Sequence, residues 1–126
     1  MKKATLVIRI LVGLGMVFFG LTKFVPSLMF DLGEMPEAMN TWNAGAAASV
    51  YLMPLVGSIE LLAGISLLIN KFVPLMLIAL VAVMINAFLL HAFIDMPNVG
   101  GAAVFLFLTI FLMFQYKDAY KGILKA

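Results

Sequence analysis

The sequence predicts an all-α integral membrane protein, folded as a four-helix transmembrane bundle. Of its 126 residues, 65% are hydrophobic and 11% are charged, whereas soluble domains are about half apolar and about a quarter charged. Four apolar segments are each long enough to cross, as a helix, a hydrocarbon core about 30 Å thick. Strands are excluded, because four strands cannot close a barrel and lipid does not tolerate open sheet edges. The length fits a single domain over residues 1–126.

The four helices are predicted over residues 4–22, 46–69, 72–94 and 99–116. Positively charged residues before the first apolar run are also typical of a secretory signal peptide. Arg9 interrupts that run and no clean small-residue cleavage site follows, so a retained membrane span is the better interpretation. Asn70-Lys71 predicts a tight turn after the second helix, and Asn98 is a candidate N-cap for the fourth.

Residues 24–45 are the one long connection, between the first and second helices. We expect an outer interfacial loop that packs on the helix ends, since Pro36 can open a short helix and Trp42 suits the level of the lipid headgroups. If the helices alternate in direction, every lysine except Lys23 falls on the side of the two termini. Positive charges in short loops stay in the cytoplasm. The N- and C-termini are therefore predicted to be cytoplasmic, in a multi-pass protein of the bacterial inner membrane.

Glu60 lies in the apolar interior of the second predicted helix, about 13.5 Å from its inner end. A charge there costs at least about 2.5 kcal/mol unless it is compensated. On the first helix Arg9 lies within about 6 Å of the same depth, and a guanidinium fits a carboxylate as a bidentate pair. Arg9 and Glu60 are predicted to form a buried ion pair, which either only fixes the helix register or belongs to a proton or substrate site.

A second set of polar side chains lies toward the outer helix ends and is a candidate quinone or proton site: Lys23, Tyr51, Asn86 and His91. A histidine there is either a simple interfacial residue or a group that exchanges protons or binds a quinone carbonyl, because imidazole titrates near neutral pH. Asn86 and His91 are five positions apart on one helix and point about 140° from each other, so both could border only a wide cavity. Pro54 is expected to free a backbone carbonyl near Tyr51 and to kink the second helix.

The composition limits the chemistry of the chain. It has no cysteine and one histidine, which excludes thiol chemistry, cysteine-ligated iron–sulfur clusters and a bis-histidine haem within one chain. A redox role would therefore need a non-covalently bound organic cofactor, such as a quinone, or a partner protein. The net charge of +2 comes with scattered lysines, so no nucleic-acid partner is predicted. No metal site and no phosphate-binding, metalloprotease or triad motif is found, and whether the chain is an enzyme stays open.

Three segments together resemble the DoxX-like family of small four-helix bacterial membrane proteins: VIRILVGLGMVFFGLTKF (7–24), PLVGSIELLAGISLLINKFVPLML (54–77) and VMINAFLLHAFID (83–95). The polar positions match as well as the hydropathy, and the similarity covers most of residues 5–95. DoxD-related members are tied to thiosulfate:quinone oxidoreduction, and others to membrane oxidoreductase complexes that handle redox stress. The resemblance implies roles for Arg9, Lys23, Glu60, Asn86 and His91. Without cysteine, however, this chain cannot itself accept sulfur covalently.

Three functional hypotheses follow. The first is a membrane subunit of a redox complex that seats a quinone and works with an oxidoreductase partner. The second is a non-enzymatic membrane scaffold or assembly factor, in which Arg9 and Glu60 are purely structural. The third is a small proton-coupled transporter, which would be a homo-oligomer because four short helices enclose little space. In all three the surrounding partner is membrane lipid.

Overall fold

The computed structural model of the chain describes residues 2–31 and 33–125, and these are helical apart from turns and connections. The helices are α1 (Lys3–Phe24), α2 (Glu37–Ala48), α3 (Leu52–Ile69), α4 (Val73–Ile94) and α5 (Val99–Gln115), with 3₁₀ turns at Pro26–Leu28, Met96–Asn98 and Lys117–Tyr120. Four of the helices, α1, α3, α4 and α5 with the turn before it, are long and apolar enough to cross a membrane. The prediction of an all-α protein with four transmembrane helices is therefore confirmed.

The second predicted helix is wrong at its start. Residues 46–48 end α2, and α3 begins only at Leu52. The break lies at Val50, whose φ of 69° is incompatible with a continuous right-handed helix. Pro54 is the third residue of α3, where backbone N–H groups have no partner within the helix. Pro54 therefore opens α3 instead of kinking it.

α1 and α3 pack antiparallel along a seam of four glycines, called here the glycine seam: Gly13, Gly20, Gly57 and Gly64. A Cβ atom built on Gly64 would lie 2.8 Å from the carbonyl oxygen of Gly13, and one on Gly20 would lie 3.0 Å from that of Gly57. The two backbones are thus in contact, as small residues allow between transmembrane helices. These two contacts fix the register of α1 against α3.

The other helices complete the bundle around a core shared by α1, α3, α4 and α5, whose fully buried members include Val12, Leu67, Leu77, Leu80 and Leu112. We call the two ends of the bundle the terminal end, where α1 begins and α5 stops, and the loop end, where α4 meets α5. The terminal end is closed by side chains. Thr5 bonds Gln115 with 3.1 Å between Oγ1 and Oε1, and the Tyr120 hydroxyl donates to the carbonyl of Pro74 at 2.8 Å.

The long connection contains the short helix that Pro36 suggested. Pro36 immediately precedes α2, and its carbonyl accepts the N–H groups of Met39 and Asn40. α2 buries Met39 and Ala46 and contacts α3. Ahead of α2, Met29 and Phe30 reach the loop end of the bundle, where they help to wall a cavity.

Candidate functional site

A cavity of about 460 Å³ lies at the loop end, bordered by α1, α3, α4, α5 and the connection after α1. We call it the loop-end cavity. Most of its wall is apolar and includes Met16, Phe19, Met84 and Phe105. The polar side chains that line it are Lys23, Glu60, His91 and Asn98. A volume of this size, with few polar groups in an apolar wall, is typical of small-molecule sites.

His91 is held in place by a carboxylate. Its Nδ1 atom lies 3.0 Å from Oδ2 of Asp95, which is one helical turn further along and fully buried. Asn98 donates its amide to both oxygens of Asp95, at 3.0 and 3.1 Å. With Nδ1 occupied, the remaining ring nitrogen Nε2 is the atom of His91 available to a ligand. It accepts a hydrogen bond when the ring is neutral and donates one when the ring is protonated.

The local sequence explains this cluster. His91 and Asp95 are four residues apart, and α4 ends between them at Ile94, where the Asp95 N–H still donates to the His91 carbonyl at 2.9 Å. The 3₁₀ turn at Met96–Asn98 then brings Asn98 back onto Asp95. Asn98 does occupy the N-cap position of α5, but its side chain makes no cap hydrogen bond.

Lys23 and Glu60 form an ion pair at the wall of the cavity, with 3.0 Å between Nζ and Oε1. Nζ also donates to the Phe19 carbonyl at 3.3 Å. A Cβ on Gly57 would lie 2.7 Å from Cβ of Lys23, so the lysine stem packs one helical turn away from Glu60. Glu60 is only 3% exposed, whereas the Lys23 side chain is 22% exposed. The pair places an ammonium group next to the cavity and compensates a carboxylate inside the membrane.

The expected ion pair between Arg9 and Glu60 is therefore not formed, because the carboxylate is paired with Lys23. The contact of Gly13 with Gly64 places Arg9 opposite residue 68, eight residues or about 12 Å from Glu60. The predicted difference in depth between Arg9 and Glu60 was half of this distance. It was counted from the ends of the predicted helices, and the ends of α1 and α3 are not level with each other.

Arg9 instead caps the C-terminus of α3. Its Nη1 donates to the carbonyl of Leu67. The backbone N–H groups of Asn70 and Lys71 both donate to the carbonyl of Ser66. The Leu67 carbonyl therefore accepts from the guanidinium instead. A cation at a helix C-terminus is favourable. Arg9 does not line the loop-end cavity, and its contacts are those of a structural residue.

Two more of the proposed site residues lie away from the cavity. Tyr51 directly precedes α3 and is 65% exposed. Asn86 is exposed on the outer face of α4. The cavity thus brings together Lys23, Glu60 and His91 of the six residues singled out from the sequence, and adds Asn98. Asp95 was not predicted as a partner of His91, although their spacing of four residues at a helix end indicates such a contact.

Residues 2–31 and 33–125 contain no group of three His, Cys, Asp or Glu side chains that could hold a metal ion. The polar groups of the cavity are instead donors and acceptors suited to an organic ligand.

Comparison with known proteins gives one family match. The family model described as DoxX matches residues 4–92, which run from α1 into the last turn of α4. The matched range includes Lys23, Glu60 and His91, while Asp95 and Asn98 follow it. No curated protein and no solved structure matches the chain significantly.

Proposed function

The chain belongs to the DoxX family, and from that premise we propose that it is a membrane subunit of a redox complex that binds a quinone in the loop-end cavity. The observation that carries the proposal is the position of His91 in an apolar wall, with one ring nitrogen held by Asp95 and the other available. A quinone has a flat apolar ring and two carbonyl oxygens, so it needs such a wall and a few directed donors.

The size and chemistry of the cavity support a ligand of this class. Its volume of about 460 Å³ lies within the roughly 300 to 1,000 Å³ of small-molecule sites. The walls combine the thioethers of Met16 and Met84 with the rings of Phe19 and Phe105. Such side chains pack well against a planar ring.

His91 supplies the proton chemistry that a quinone requires. Reduction of a quinone to a quinol takes up two electrons and two protons, one proton at each oxygen. A protonated His91 donates Nε2–H to a quinone oxygen, and the neutral ring accepts from a quinol hydroxyl. The buried carboxylate of Asp95 orients the ring, as carboxylates do for histidines in catalytic sites. The Lys23 ammonium is a second donor at the same cavity.

The electrons must come from elsewhere. The chain has no cysteine and a single histidine, so it cannot supply an iron–sulfur cluster or a bis-histidine haem on its own. An oxidoreductase partner that carries the redox centre is part of the proposal. So is a place in the bacterial inner membrane with the terminal end in the cytoplasm, which agrees with the lysines at 71, 117 and 121.

Quinone binding is tested with His91→Ala and its matched control Leu89→Ala, an apolar truncation on the exposed side of the same helix. Each protein is purified from its native membrane, its retained quinone is measured by mass spectrometry, and a short-chain benzoquinone is titrated in. We expect near-stoichiometric quinone in the native protein and in Leu89→Ala. In His91→Ala we expect an affinity lower by about tenfold, the value of one good hydrogen bond to a charged donor.

Two outcomes would contradict the proposal. Equal affinities in the two variants would remove His91 from the site. Retention of phospholipid alone, with no quinone bound in the titration, would favour the scaffold hypothesis, which is supported by the purely structural contacts of Arg9.

A further inference from the structure

Asn86 is a polar side chain on a membrane-spanning helix, and it makes no hydrogen bond to the part of the chain that the structure describes. It is exposed on α4, and the described residues supply no hydrogen-bond partner for it. It lies eight residues before the end of α4 at Ile94, a depth of about 12 Å. A carboxamide has two donors and an acceptor, and the hydrocarbon region offers no water to satisfy them.

The face of α4 around Asn86 is continuous and apolar. Its other exposed residues are Leu75, Ile78, Ala82, Ile85, Leu89 and Phe93. The buried residues Leu77, Leu80 and Met84 lie on the opposite side, against the core. On a helical wheel at 100° per residue, the exposed residues occupy an arc of about 100°. The arc extends about 80° to one side of Leu75 and about 20° to the other side, where Asn86 lies. Asn86 therefore points outward from the bundle.

We propose that this face of α4 docks on the same face of a second copy of the chain, with the two Asn86 carboxamides hydrogen-bonded to each other. Two copies inserted in the same direction are related by a two-fold axis along the membrane normal. Their α4 helices are then parallel, and their Asn86 side chains lie at equal depth. A carboxamide is its own complement, because the amide of each copy donates to the carbonyl oxygen of the other.

The spacing of the exposed residues also supports a second copy of the chain as the partner of this face. Ala82, Asn86, Leu89 and Phe93 are separated by four, three and four residues, which is the spacing of knobs-into-holes packing between parallel helices. Ala82 lies one turn before Asn86, and a small side chain there lets a second helix approach closely enough for the carboxamides to meet. A single asparagine within such a stripe, at the position that Asn86 holds, fixes register and partner number in helix pairs. Lipid alone would cover the apolar residues equally well, but it would leave the carboxamide unsatisfied.

The natural absence of cysteine allows a direct test by disulfide cross-linking of single-cysteine variants. Leu89→Cys reports on the α4 face, and Phe107→Cys is a matched control that is exposed on α5. Both are oxidised in native membranes. We expect a covalent dimer of twice the chain mass for Leu89→Cys and little or none for Phe107→Cys. Addition of Asn86→Leu to Leu89→Cys should remove most of the dimer.

A second measurement keeps the test independent of cross-linking geometry. The native chain and Asn86→Leu are reconstituted at low density in lipid vesicles, and single-molecule photobleaching gives the dimer fraction. Asn86→Leu should raise the dissociation constant by about tenfold, the effect of an interhelical hydrogen bond in a membrane. The melting temperature of the detergent-solubilised monomer should not fall, because Asn86 makes no hydrogen bond to the described residues that this change would remove.

Three results would overturn the proposal. They are a cross-linked product with the mass of another protein, equal cross-linking at positions 89 and 107, and a dimer fraction that Asn86→Leu leaves unchanged. The proposal does not rest on quinone binding, since Asn86 lies outside the loop-end cavity.

Discussion

Helix α1 presents two different surfaces to the bundle, the glycine seam with α3 and the wall of the loop-end cavity. At the seam, Gly13 and Gly20 bring two backbones into contact. On the cavity side, Met16, Phe19 and Lys23 leave a space of about 460 Å³. One helix thus fixes the fold on one side and leaves room for a ligand on the other.

The polar groups of the two regions differ in the same way. Beside the seam, the guanidinium of Arg9 donates to a backbone carbonyl at the end of α3. At the cavity, His91 is oriented through one nitrogen and keeps the other for a ligand. A buried polar side chain is therefore a better candidate for function when its partner positions it without using all of its bonding capacity. Substitutions at the glycine seam should mainly lower stability, whereas loss of the contact that orients His91 should mainly lower ligand affinity.

The largest effect is expected from Gly64→Val at the glycine seam. Its Cβ would lie 2.8 Å from the Gly13 carbonyl oxygen and 2.8 Å from the Val17 backbone nitrogen, and backbone atoms cannot move aside as a side chain can. We expect a loss of at least about 3 kcal/mol in the free energy of unfolding, the upper part of the range for overpacking. Thermal unfolding in detergent measures it.

The matched control for this change is Gly101→Ala on α5, where no atom lies within 4 Å of an added Cβ. It should leave stability unchanged or raise it slightly, because alanine favours a helix more than glycine does. Equal melting temperatures for Gly64→Val and the native chain would mean that α1 and α3 are not in backbone contact.

A smaller effect is expected from Lys23→Met, which removes the charge that compensates Glu60. A buried pair broken on one side costs about 3 to 5 kcal/mol. Because the Lys23 side chain is 22% exposed, we expect a smaller loss for Lys23→Met, about 2 kcal/mol in the free energy of unfolding. The double variant Lys23→Met/Glu60→Gln should regain most of the loss, since it removes the uncompensated charge as well. A double variant less stable than Lys23→Met would contradict the ion pair.

The sequence predicted the long apolar helices closely, because the bilayer demands a minimum apolar length. Residues 72–94 were predicted for the helix that runs over Val73–Ile94. The break between α2 and α3 was missed because the alanine-rich run before Val50 suits either helix, and only the left-handed backbone of Val50 separates them. Hydropathy carries no signal for such a backbone change.

The site was predicted less completely, because its contacts depend on register and on the path of a turn. The predicted partner of Glu60 was wrong. The register of α1 against α3 is set by the contacts of Gly13 and Gly20 with α3 and not by the helix ends. The contact of Asp95 with His91 was not predicted, because it depends on how α4 ends. Asn86 was expected near the cavity, but only the packing of α4 on its neighbours shows that it faces outward.

Asp95→Asn is expected to lower stability less than Gly64→Val or Lys23→Met and to have the most specific effect on binding. The variant keeps the shape of the side chain but removes the charge that holds Nδ1 of His91. The charge-assisted hydrogen bonds from His91 and Asn98 become neutral or are lost, at a cost of about 1 to 2 kcal/mol in unfolding free energy. Affinity for a short-chain benzoquinone should fall by about fivefold to tenfold, because the imidazole is no longer oriented by a carboxylate.

The matched control for Asp95→Asn is Thr5→Val at the terminal end. Thr5 is also fully buried, and its loss of the bond to Gln115 should cost about 1 kcal/mol without touching the cavity. We expect the two variants to have similar melting temperatures and only Asp95→Asn to bind quinone more weakly. That result would show that the loss of affinity comes from the position of His91 and not from general destabilisation. If Thr5→Val weakened binding as much, the affinity would follow the stability of the whole bundle, and the distinction between a structural seam and a binding cavity would fail.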